Sequence, residues 1–244
     1  MLKRVDEAGR QLRPASLLEA LRERTKALHT QAERSGIIAE ILHGRGTRAG
    51  YALLLRNLLP VYATMEAELA RHHGSSGTGS VFCPELNRAA AIGSDLGHLL
   101  DTWSSTSQGT SQGTWQDTWQ ELPLLPAACD YVAAISAASA GGGQRLIAHA
   151  YARYLGDLSG GQIIKRLLAR SLDLPATALS FYDFPAISDL AAFKASYRAG
   201  IERAGDDLDD FDGVVEEGAR AFELNIELSV ALQDAAGRMD PRTI

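Results

Sequence analysis

Apolar positions along the chain recur at the three- and four-residue spacing of helices, with no convincing pair of strands. Leu17, Leu21, Leu28 and Ala32 form one such stripe. Ser16, just before it, is suited to cap a helix that runs to about Ser35, and Gly36 suits a break. A second helix is predicted from near Thr47, carrying Tyr51, Leu54, Leu55, Leu58, Tyr62, Met65 and Leu69, with Pro60 inside it as a kink. Residues 74–80 read as a Gly/Ser loop. Further helices are predicted over 85–100, 126–140 and 144–172, the last two separated by the glycines at 141–143, and then over 187–204 and 209–235. Pro175 and Pro185 mark an irregular stretch between the long helix and the last two. Residues 102–120 form the least complex segment, with SQGT twice in succession, and read as a mobile surface loop. This pattern predicts a single all-α, multi-helix domain over 16–235, with flexible tails at 1–15 and 236–244.

Composition narrows the possibilities. With 244 residues, 45% hydrophobic and 22% charged, the chain can bury one sizeable core. A net charge of -6 argues against a general nucleic-acid binder, so any anionic ligand must be met by a local basic cluster. Cys83 and Cys129 make neither a disulfide framework nor a zinc ribbon and fit a reducing compartment. No signal-like segment and no apolar run of membrane-spanning length is present, so the expectation is a cytoplasmic protein without membrane association.

Candidate chemistry is concentrated in a few segments. His29 lies on the first helix with Leu18, Arg22, Thr25 and Lys26 before it and Glu33 four residues after it. These spacings make neighbours on a helix surface. One face thus offers an imidazole, cations and a carboxylate. A neutral imidazole can ligate heme iron, the carboxylate can hold its other nitrogen, and the cations can meet propionates. A solvated amphipathic helix explains the same residues equally well.

The segment YARYLGDLSGGQ (151–162) places Gly156, Gly160 and Gly161 inside a helical pattern, with Asp157 between them. Each glycine costs about 1 kcal/mol against alanine in a helix interior. Close approach of the backbone to a flat ligand, a bend, or tight helix packing would each account for them. Lys194 and Arg198 form a second small basic face, and Asn225 is an amide flanked by Leu224 and Ile226. Glu40-x-x-His43 has no second copy, so a di-iron bundle is not indicated. His72-His73 is expected at the surface, Cys83-Pro84 reads as an ordinary thiol, and no phosphate-loop pattern occurs.

LRERTKALHTQAE (21–33) and YARYLGDLSGGQIIKRLL (151–168) closely resemble the proximal and distal helices of the heme oxygenase family. VYATMEAEL (61–69), FYDFP (181–185), FKASYR (193–198) and AFELNIEL (221–228) resemble further family segments, so the likeness spans about 16–233. The 102–120 loop departs from it by being longer and more polar. The resemblance implies a heme oxygenase-like fold with heme between a proximal helix and a kinked distal helix. It implies an oxidoreductase for which heme is cofactor and substrate, cleaved with molecular oxygen to biliverdin, carbon monoxide and ferrous iron. An electron donor such as a ferredoxin or a flavoprotein reductase would be its partner. His29 would ligate the iron, oriented by Glu33. Arg22, Lys26, Tyr151, Lys194 and Arg198 would surround the propionates and choose the meso edge attacked. Gly156 and Gly160 would let the distal helix lie on the heme face, with Phe222 packed nearby. Asp157 would anchor distal waters, with Tyr62, Arg153 and Asn225 as outer partners. A heme carrier or sensor on the same fold is the alternative, and the presence of Asp157 argues against it, because a carrier has no need of a proton-delivery network.

Overall fold

The computed structural model describes residues 16–104 and 121–239, with the side chains of 100–104 left aside. The expected tail at 1–15 and most of the expected 102–120 loop lie outside these residues. Nine α-helices make up the described chain: α1 (Leu17–Glu33), α2 (Gly36–Leu42), α3 (Arg48–Arg71), α4 (Ala89–Ser104), α5 (Pro126–Ala138), α6 (Leu146–Ser159), α7 (Gly161–Leu172), α8 (Leu190–Asp206) and α9 (Phe211–Arg238). No strand occurs among them.

Local chemistry sets the helix starts. The Ser16 hydroxyl accepts the N–H of Glu19, and Thr47 accepts that of Gly50. Asp189 accepts from Ala191 and Ala192, and Asp210 accepts from Gly213. Each such cap is worth about 1 kcal/mol. Pro126 opens α5 at a position where its missing N–H has no helical partner to lose.

Helix α9 is the axis of the fold and packs against α1, α2, α3, α5 and α6. Leu21 of α1 and Leu224, Leu228 and Leu232 of α9 are fully or almost fully buried. Each contributes roughly 1.5–3 kcal/mol from apolar burial. The α1–α9 approach is close enough to require a glycine: a Cβ on Gly218 would stand 2.6 Å from Leu21 Cδ2. One turn further along α9, Phe222 reaches the level of His29. Arg24 of α1 adds a paired hydrogen bond to Glu216 on the same side.

Several element boundaries differ from the expectation, each for a tertiary reason. Gly36 does not end the helical region but opens the short helix α2, at φ +62 with its α-carbon against the Ser229 carbonyl. Residues 84–86 form a separate 3-10 turn, and α4 begins only at Ala89, where Glu66 caps the N–H groups of Arg88 and Ala89. Thr78–Val81 is a 3-10 turn that begins in the predicted Gly/Ser loop and ends one residue beyond it. The predicted 144–172 helix is two helices meeting at Gly160. Helix α3 runs through Pro60 without interruption. Helix α9 continues beyond 235 to Arg238. His72 is buried, not exposed as expected: its Nε2 meets the Ser139 carbonyl and hydroxyl at 3.0 Å.

Candidate active site

Helix α1 presents His29 at its surface, with 58% of the side chain exposed. Its Nδ1 lies 3.8 Å from Glu33 Oε1, one turn on. The imidazole stands 5.9 Å from the Phe222 ring, and Phe222 stands 6.5 Å from Tyr151. Tyr151 in turn brings its hydroxyl to 3.4 Å from Thr25 Oγ1, one turn before His29. Helices α1, α6 and α9 therefore meet in an aromatic group that leaves the imidazole uncovered. Arg22 and Lys26 are exposed on α1.

Helix α8 packs on both α1 and α6. Glu202, near its end, binds Ser16 Oγ at 2.8 Å, whereas Lys194, near its start, places Nζ 3.3 Å from Ser159 Oγ at the end of α6. Arg198 is exposed between them. The basic residues thus come from two helices that border the same region.

The distal candidates form one connected group. Tyr62 of α3 donates its hydroxyl proton to Asp157 Oδ2 at 2.5 Å. Arg153 donates to the Tyr62 oxygen through Nε at 2.9 Å and Nη2 at 2.7 Å, and its Nη2 lies 3.8 Å from Asp157 Oδ1. Arg153 Nη1 donates to the Asn225 carbonyl oxygen. The Asn225 amide donates to Tyr131 at 3.1 Å and to the Ala221 carbonyl at 2.9 Å. Burial raises the Asp157 pKa above the ordinary carboxylate value, against the opposing pull of Arg153 and the Tyr62 hydrogen bond. The Tyr62 phenol is raised as well, mainly by burial.

The three glycines separate into two kinds. A Cβ on Gly156 would meet nothing within 4 Å, and one on Gly160 would meet only the Gly156 carbonyl, at 3.5 Å. Gly161 is different: its Cβ would stand 3.1 Å from Tyr182 Cδ1. Packing accounts for Gly161. Open space at Gly156 and Gly160, together with the uncovered imidazole of α1, is what a flat ligand between the two helices requires.

Two residues without a predicted role sit against this group. Tyr131 anchors Asn225. Arg88 is buried, with its guanidinium 4.2 Å from the Phe184 ring centre and close enough to feel the charge of Asp157. A lone Tyr or Arg carries no sequence signal of such a position. Cys83 donates to Glu85 Oε2 at 3.0 Å, and burial and that carboxylate push its pKa up to about 12. It is a protonated thiol at neutral pH, which disfavours thiolate ligation. Among the described residues, no group of three or more His, Cys, Asp and Glu is arranged to hold a bare metal ion. No helix among them is long and apolar enough to cross a membrane.

Known proteins resemble this chain in sequence and in fold. A family model described as heme oxygenase matches residues 15–231. Human heme oxygenase 1 is 36% identical over 225 residues, covering 91% of this chain and 73% of its own. Heme oxygenase 1 of the cyanobacterium Nostoc sp. is 33% identical over 221 residues, covering 90% of this chain and 87% of its own. The crystal structure of heme oxygenase-1 from Synechocystis sp., in complex with heme, superposes with a TM-score of 0.78 at 32% identity, over 92% of this chain and 95% of that one. Matched in sequence along most of its length and in fold by a heme complex, the chain belongs to the heme oxygenase family.

Proposed function

We propose that this heme oxygenase holds heme between α1 and α6, with His29 as iron ligand and Asp157 as the group that handles the proton of the reaction. The enzyme cleaves heme to biliverdin, carbon monoxide and ferrous iron. The observation that carries the assignment of Asp157 is its closed network, a buried carboxyl held by Tyr62 and Arg153. It follows directly on Gly156, whose Cβ direction is open. A carrier has no use for a buried acid next to its ligand face.

Bound heme supplies both the iron that takes up molecular oxygen and the porphyrin carbon that is oxidised. The chain supplies the setting. His29 would offer a ring nitrogen to the iron, and Glu33, 3.8 Å from Nδ1 and exposed, would bear on the ring's orientation only loosely. Lys26, Arg22, Lys194, Arg198 and the Tyr151 hydroxyl would hold the propionates and so influence which meso edge is attacked. Gly156 and Gly160 admit the porphyrin face. Asp157 holds a proton at higher pH than an ordinary carboxyl, because its burial disfavours the charge. It can therefore give one up to ordered water beside the ligand and be reprotonated from it. Arg153 and Asn225 fix the direction of the Tyr62 hydroxyl, so Oδ2 of Asp157 is committed to Tyr62 and Oδ1 is left to orient water. Electrons come from a separate donor, a ferredoxin or a flavoprotein reductase. Two free thiols, Cys83 and Cys129, support a reducing, cytoplasmic setting.

Heme turnover with a reductant and oxygen, followed by absorbance and product analysis, tests this reading. The expected result is biliverdin with release of iron. Stable heme binding without biliverdin would make the protein a carrier.

A further inference from the structure

Asp95 of α4 is a carboxylate with no exposed surface, and nothing said so far uses it. Its Oδ1 accepts the backbone N–H of Ser180 at 2.8 Å, and its Oδ2 accepts that of Phe181 at 2.8 Å. The Ser180 hydroxyl also donates to Oδ1. Burying an ionisable group is costly, and a simple turn could be capped by a neutral side chain. Two equivalent acceptor oxygens are what only a carboxylate provides, and here they fix two successive N–H groups at once.

The rings that follow these N–H groups close the distal network. Phe181 sets its ring edge against Tyr62, with centres 5.4 Å apart and planes at 77°. Tyr62 is the donor to Asp157. Tyr182 lies against the α6–α7 junction, where a Cβ on Gly161 would meet both Tyr182 Cδ1 at 3.1 Å and Asp157 Cβ at 3.9 Å. Both rings are almost wholly buried. The segment is tied from its other side too. Gln162 Nε2 donates to the Tyr182 carbonyl at 2.7 Å, Lys165 pairs with Asp183, and Arg88 donates to the Asp183 carbonyl. Residues 180–184 thus form a plate behind Asp157, anchored by Asp95.

We infer that Asp95 is a positioning residue for Asp157: by fixing the backbone at 180 and 181 it seats Phe181 on Tyr62 and Tyr182 against Gly161, and so keeps water from the back of the Asp157 carboxyl. This inference rests on Asp157 as the distal acid, but its test needs no heme. The carboxyl carbons of aspartate-labelled, heme-free protein are followed by NMR across pH, and the Asp157 signal is identified by its loss in Asp157→Asn. In Asp95→Asn one backbone donor loses its acceptor and faces an amide N–H₂ instead. The plate loosens, and the Asp157 midpoint falls toward the ordinary carboxylate range by at least about half a unit, a roughly threefold change in its ionisation constant. Phe181→Leu acts at the other end of the same route and moves the midpoint the same way, so it decides the matter if Asp95→Asn does not fold. Ile92→Val, at a buried core position of α4 one turn earlier, lowers the melting temperature and leaves the midpoint in place. A native midpoint in both plate variants, or an equal shift in Ile92→Val, overturns the inference. If the midpoint shifts as expected but Asp157→Asn still makes biliverdin at the native rate, the positioning stands and the catalytic reading of Asp157 falls.

Discussion

Helix α1 and the α6–α7 pair bring opposite kinds of group to one site. On α1 the candidate groups are at the surface: His29 and Glu33 are both more than half exposed, and Arg22 and Lys26 are exposed. Around Asp157 the groups are enclosed, and each is fixed by the next, from Tyr62 through Arg153 to Asn225 and Tyr131. The first arrangement is a set of separable parts. Its geometry is the geometry of a helix, and one member can be changed without moving the others. The second is coupled, because low dielectric makes each unpaired member expensive. The comparison predicts that lesions on α1 act singly and can be repaired from outside, whereas lesions in the distal network spread and cannot.

His29→Ala gives the largest effect. The native heme spectrum and nearly all turnover are lost, and added imidazole restores part of both, since the ligand position is open to solvent. Absorbance titration with and without imidazole measures this. A variant that binds and degrades heme normally would assign the iron to another histidine.

Asp157→Asn comes next, with biliverdin formation down by about a hundredfold or more, in the range of lost general acid–base catalysis. Heme affinity stays near native, and no external carboxylate rescues the variant. Its stability carries a sign. The folded Asp157 pKa lies above the unfolded value of about 3.9, so the folded state binds more protons in the window between them. Native stability from this group is present below that window and is lost as pH rises through it. The amide does not titrate, so this pH dependence of stability disappears in the variant, and the melting temperature is expected to hold because the amide oxygen still accepts the Tyr62 hydroxyl. A clear fall in calorimetry would make Asp157 a structural residue.

Lys194 and Arg198 together have a smaller effect. A charge-assisted bond in a partly dry pocket contributes about 1.5–3 kcal/mol, and exposure reduces this. The double alanine variant is expected to weaken heme binding about tenfold and to alter the mixture of biliverdin isomers, read by chromatography. If neither changes, the propionates are held elsewhere.

Glu33→Gln is the mildest. At 3.8 Å and with both partners exposed, the carboxylate orients His29 only loosely, so a change in heme affinity of less than tenfold is expected. A loss as large as that of His29→Ala would mean that α1 is coupled after all, and the contrast with the distal side would fail.

The legibility of the two regions differs in the same way. The α1 constellation could be found from spacing alone, since offsets of three and four residues fix neighbours on any helix. The glycine segment was conspicuous because glycine is costly in a helix, but periodicity could not separate Gly156, which opens onto space, from Gly161, which accommodates Tyr182. Residues 181–185 were recognisable as a family segment and carried no visible role. Arg88, Tyr131 and Asp95 gave no signal, because each acts on residues far away along the chain.

What the sequence determined by itself is what depends on neighbours a turn away: helices, the cap at Ser16, the apolar stripes and the histidine face. Tertiary structure alone decided that the long pattern over 144–172 is two helices, that Gly36 starts a helix, and that His72 is buried. It also decided that Tyr62, Arg153, Asp157 and Asn225, from three helices, share hydrogen bonds. The reason is physical. Helix propensity and capping are properties of contiguous residues, whereas burial and hydrogen bonding between α3, α6 and α9 exist only once the core has brought those helices together.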